Sequence, residues 1–115
     1  MAESKIHNPM APVELTSIQA YPGRATILNN MSFTIGRIVI ISVRMSIDMQ
    51  VSQGNEILTG FPLPKTDLGG GYSTIALATS RGTEHHAISA SGVMISPDGS
   101  TTTGNLIVSG AYVTY

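Results

Sequence analysis

The stretch from Arg37 to Val51 constrains the fold more than any other part of the chain. Every odd position from Val39 through Val51 is apolar, and from Ser42 onward the even positions read Ser42, Arg44, Ser46, Asp48 and Gln50. Wound into a helix, these side chains would surround the axis; at the two-residue repeat of a strand they separate onto two faces. The segment therefore reads as a long, half-buried strand. Near its start Ile38 and Ile40 make the second face apolar as well, so that end is expected to lie under another sheet, a connector or a neighbouring subunit.

Shorter candidates flank it. Val13–Ile18 reads as a strand that ends before the loop Tyr21-Pro22-Gly23. Arg24–Leu28 and Met31–Ile35 surround Asn29-Asn30, a pair that tolerates left-handed backbone and suggests a tight hairpin. After the long strand, Gln53-Gly54-Asn55 turns the chain into Glu56–Thr59. Gly60-Phe61-Pro62-Leu63-Pro64 then interrupts regular pairing, because proline lacks a backbone donor and restricts its predecessor. Asp67–Gly71 is a glycine-rich loop before a strand at Ser73–Thr79. Arg81-Gly82 breaks that strand from Glu84–Ala90, and Val93–Ser96 leads to a turn at Pro97-Asp98-Gly99-Ser100, where Asp98 can cap the backbone. A last strand covers Asn105–Thr114. Seven or eight short segments at this spacing, with no capped amphipathic helix among them, predict an all-β, antiparallel β-sandwich or jelly-roll-like head domain.

Length and composition narrow the function classes. The 115 residues suffice for one core, assigned to residues 13–115, with residues 1–12 a tail or connector carrying two prolines. With no Trp and only Phe33 and Phe61 for Phe, the core must come mainly from Ile, Val, Leu and Met. Charged residues are 11% of the chain, about half the usual share, which suits a surface that packs against other subunits. A formal charge of −1 without a basic block gives nucleic-acid binding no support, and no apolar run is long enough for membrane insertion. The absence of Cys excludes disulfides and thiolate metal sites.

In their order, several of these signals resemble the C-terminal head or tip domain of phage tail fibres, baseplate appendages and receptor-binding proteins. They are Gly36-Arg37-Ile38-Val39 opening the alternating strand, the crossing Ile57–Pro64, a short strand leading to Pro97-Asp98-Gly99, and the terminal Leu106–Tyr115. The resemblance covers roughly residues 24–115. It implies a compact β head at the distal end of a virion fibre or baseplate. It also implies a homotrimer joined to other tail or baseplate proteins, whose surface recognises a bacterial cell-wall or envelope saccharide. The chain departs from many saccharide binders in its scarcity of aromatics, so a purely structural or trimerisation domain of a fibre is the alternative, with a cellular carbohydrate-binding module as a third reading.

The residues themselves carry no strong catalytic motif. Glu84-His85-His86 is the densest titratable cluster, but adjacent strand side chains point to opposite faces, and two such histidines do not share a metal. If Ile88 faces inward, His86 is packed and His85 meets solvent. No carboxylate pair has glycosidase spacing, no Gly-x-Ser-x-Gly elbow is present, and Gly69-Gly70-Gly71 lacks the Lys and Ser/Thr of a P-loop. Neither an enzyme nor a cofactor is expected. The candidate ligand contacts are Tyr21 and Tyr72 in loops, with Arg81, Glu84 and His85 as directional hydrogen-bonding partners. Tyr112, Tyr115, Phe33 and Phe61 are assigned to packing, and Asp98 to its turn. Arg44 and Asp48 share one strand face roughly 13 Å apart, too far for a direct pair.

Overall fold

The computed structural model of the chain describes residues 11–65 and 74–115. Most of the expected tail, the Asp67–Gly71 loop, Tyr72 and the start of the Ser73–Thr79 strand lie outside them. The described residues form ten strands and no helix: β1 Val13–Glu14, β2 Gln19–Ala20, β3 Ala25–Asn30, β4 Phe33–Ile35, β5 Ile38–Ile47, β6 Leu58–Thr59, β7 Ile75–Thr79, β8 His86–Ile88, β9 Met94–Ile95 and β10 Gly104–Val113. All pairings are antiparallel, in the order β1-β4-β5-β10-β7-β8-β9-β6-β2, with β3 beside β5. The fold is therefore all-β and antiparallel, as the sequence pattern requires. It is one sheet curled about its core like half a barrel, with its two halves packing against one buried cluster.

The alternation in β5 is the organising element. Val39, Ile41, Val43, Met45 and Ile47 point inward and are at most 2% exposed, while Arg44 on the other face is open to solvent. Opposite them, Leu106, Val108 and Tyr112 of β10 occupy the same inner face. Ile57, Leu58, Phe61, Leu77, Ile88 and Met94 from the other half of the sheet close over them. Each fully buried aliphatic side chain contributes about 1.5–3 kcal/mol relative to exposure, so this two-sided stripe is the main stabilising feature. Tyr112 joins the core by its ring and satisfies its hydroxyl by donating to the Pro62 carbonyl at 2.6 Å. Burial pushes that phenol well above its ordinary range, in keeping with a structural role.

Four local expectations differ from the structure. The long strand stops at Ile47: the Asp48 carboxylate accepts the hydroxyls of Thr26 (2.6 Å) and Ser46 (3.0 Å), Met49 turns outward, and only Val51 returns to the core through a bridge to Thr101. Asn29-Asn30 makes no hairpin. Both asparagines belong to β3, and β3 and β4 lie along the same edge of β5. Asn30 instead mends the break between them, its amide donating to Leu15 O at 2.9 Å and its side-chain oxygen accepting from Ser32 N at 3.0 Å. The tight hairpin is at Gly36-Arg37, between the paired Ile35 and Ile38; Gly36 has φ 57°, the positive value wanted at the first position of a II′-type turn. Val13–Ile18 is split, with a strand only at Val13–Glu14. Phe33 pairs with Ile40 on the outer face and is half-buried there, leaving Phe61 as the phenylalanine of the core.

Candidate functional site

Antiparallel pairing collects four connections at one end of the sheet. The C-terminus of β5 meets the N-termini of β3 and β10 there, Ile47 lying opposite both Ala25 and Gly104. The β2–β3 loop (21–24), the β5–β6 connection (48–57), the β7–β8 turn (80–85) and the β9–β10 loop (96–103) therefore form a shared rim. Tyr21, Arg81, Glu84 and His85 all belong to it. The fifth expected contact, Tyr72, lies outside the described residues.

Two clusters stand on this rim. In the first, Arg81 and Glu84 tie the β7–β8 turn to the start of β10. Arg81 Nη1 donates to both Glu84 carboxylate oxygens at 2.9 and 3.1 Å, and to the Thr102 carbonyl and hydroxyl at 2.7 and 3.1 Å. Its Nε and Nη2 donate to the Asn105 carbonyl at 3.2 and 3.0 Å. Glu84 Oε2 also accepts the Thr102 amide (3.1 Å) and hydroxyl (2.7 Å). Beneath them, Thr79 Oγ1 donates to the Arg81 carbonyl at 2.7 Å and closes the turn. Burial alone would raise the Glu84 pKa, but the Thr102 hydrogen bonds and the Arg81 guanidinium outweigh it and hold the carboxyl below its usual range.

The two histidines part as strand alternation demands. Ile88 is fully buried, His86 on the same face is 1% exposed, and His85 projects into solvent. His85 Nδ1 lies 2.8 Å from Asp98 Oδ2, so Asp98 reaches out of its bend to an exposed pair in which both side chains are more than half open. His86 Nε2 sits 3.1 Å from Thr101 Oγ1 and 3.8 Å from Glu84 Oε1.

The second cluster surrounds Tyr21. The Arg24 guanidinium stacks 3.8 Å over its ring and donates from Nη1 to the Glu56 carbonyl at 2.9 Å. The Tyr21 backbone is pinned as well, its amide donating to Ile57 O (2.9 Å) and its carbonyl accepting from Arg24 N (3.0 Å). A half-open aromatic ring with one face under a cation is a rigid contact surface.

The rim thus offers an exposed imidazole–carboxylate pair and a cation-backed ring, whereas Arg81 and Glu84 are committed to internal bonds. Among the described residues no three His, Cys, Asp or Glu side chains converge as metal ligands. Arg24 and Asp98 are the rim residues that sequence reasoning missed as contacts. Arg24 is signalled only by its place at the end of the Tyr21 loop, and Asp98 by nothing local, since its partner lies on another connection. No family model, curated protein or solved structure matches the chain.

Proposed function

We propose that this domain is a non-catalytic binding module at the tip of a phage tail fibre or baseplate appendage, taking a bacterial envelope saccharide on the rim formed by Tyr21, Arg24, His85 and Asp98. The observation that carries the reading is the convergence of the solvent-facing His85–Asp98 pair and the Arg24-backed Tyr21 ring on one end of the sheet. An imidazole and a carboxylate offer donors and acceptors to sugar hydroxyls, and a ring offers an apolar face. The resemblance in the order of sequence signals supplies the biological setting. Contacts this few make a weak site, and a fibre with several heads multiplies it through effective concentration.

The test is adsorption of native particles to host cells. Particles carrying H85A/D98A in this domain should adsorb several-fold less than wild type, with the folded domain retained. Unchanged adsorption by that variant and by particles lacking the domain would contradict the reading, and release of new reducing ends from envelope polysaccharide would contradict its non-catalytic part.

A second reading, assembly, is favoured by the opposite end of the sheet. There Phe33, Ile35, Ile38, Ile40, Ala111 and Val113 share the outer face, and Ile38 and Val113 are 42% and 41% exposed on directly paired positions. This face would join copies of the head, as a homotrimer, or join it to other tail or baseplate proteins.

A further inference from the structure

His86 is the one buried titratable side chain of the rim that the binding reading leaves without a role. Its side chain is completely enclosed, and its Nδ1 has no hydrogen-bond partner among the described residues. Its Nε2 faces Thr101 Oγ1 at 3.1 Å, and Thr101 is itself fully buried and bridged to Val51 by reciprocal backbone bonds of 2.9 and 2.8 Å. One imidazole therefore stands where three connections of the rim meet: the β7–β8 turn, the β9–β10 loop and the β5–β6 connection.

We propose that His86 is an acid-sensitive latch, which holds these connections together while its ring is neutral and releases them when the ring is protonated. The charged and titratable groups around it are Glu84 and Arg81 of the β7–β8 turn, Asp98 of the β9–β10 loop and its neighbour His85. The Glu84 carboxylate, 3.8 Å from Nε2, favours the tautomer with its proton there, donating to Thr101 Oγ1. A second proton must then go to Nδ1. That creates a charged donor in an enclosed site with no acceptor among the described residues, which is among the costliest polar states a core can hold. Glu84 offers only partial compensation, because Arg81 and Thr102 already occupy both of its oxygens. Consistently, burial depresses the His86 pKa below 6.5, with Glu84 and Asp98 opposing that shift and Arg81 and His85 reinforcing it.

The sign follows from linkage. The unfolded ring takes up its proton near pH 6.5 while the folded ring stays neutral. Stability is therefore full above that pH and falls as pH drops from 6.5 toward the depressed folded value, the folding constant losing up to about tenfold per pH unit. Glu84, held below 4.5, contributes its own loss only at lower pH. The latch does not rest on what the rim binds.

The test is a pH titration of the three histidine ring signals of the whole chain by NMR, with H7Q and H85Q to assign them, alongside denaturant unfolding of wild type and H86Q from pH 7.5 to 5. The expected result is a His86 ring that stays neutral well below pH 6.5. As it titrates, the amides of Glu84, His86, Thr101 and Val51 should change together, and the fall in stability should flatten in H86Q. An ordinary titration near 6.5 with those amides unmoved, or an undiminished fall in H86Q, would overturn the proposal. Should H86Q not fold, the wild-type ring titration and amide exchange at Thr101 and Val51 decide alone: exchange accelerating as the ring protonates supports the latch, and unchanged exchange refutes it.

Discussion

All three guanidinium nitrogens of Arg81 donate to groups of the protein itself, and at 16% side-chain exposure it holds the rim rather than faces a ligand. R81A is therefore expected to destabilise the fold by about 2–4 kcal/mol in denaturant unfolding, because it leaves Glu84 and two backbone carbonyls short of charged donors. R81K should recover little of this, since an ammonium cannot reproduce the planar fork that reaches Glu84, Thr102 and Asn105 together. That His85 and His86 take opposite faces was legible in the sequence from strand alternation, but which one is buried was fixed only by the inward Ile88, since Ala87 fits either side. Arg81's role was not, because two of its acceptors are backbone carbonyls, at Thr102 and Asn105, whose positions depend on how β10 enters the sheet. The His85–Asp98 pair was hidden for the same reason, its members lying on different connections.

Among the elements, β5 was legible through Ile47, since the five alternating apolar positions from Val39 to Ile47 leave a strand no choice of face, although the same pattern ran on past its end to Met49 and Val51. The failures lie where side chains compete with turn propensity. Asn29-Asn30 has the composition of a hairpin, yet Asn30 uses both ends of its amide to hold Leu15 and Ser32, and the reversal falls to Gly36. Glycine has a comparable role at Gly60, whose φ is +87° and where an added Cβ would collide with the Ser17 carbonyl. G60A should lower stability by more than about 2 kcal/mol through combined strain and displacement of the Leu15–Ile18 segment. G23A, with a similar φ of +81° but open space around it, should cost about 1 kcal/mol. Equal losses from the two in thermal or denaturant unfolding would mean that the close approach at Ser17 carries no weight.

At the scale of the whole molecule, the two ends of the sheet differ in chemistry: polar loops at one, and an open apolar face on β4, β5 and β10 at the other. If that face joins copies, I38T/V113T should shift sedimentation equilibrium from an assembled species toward the 12.1 kDa chain with the fold retained, and a monomeric wild type at micromolar concentration would contradict a self-sufficient assembly. Binding is expected at the other end, and amide NMR mapping of the isotope-labelled chain with separated bacterial cell-wall polysaccharides tests it most directly. On the proposed reading, the expected result is saturable shifts clustered on residues 21–24, 84–86 and 97–100 that disappear in H85A/D98A; no shifts with any of the polysaccharides, or shifts confined to the Ile38–Val113 face, would contradict a saccharide-binding rim.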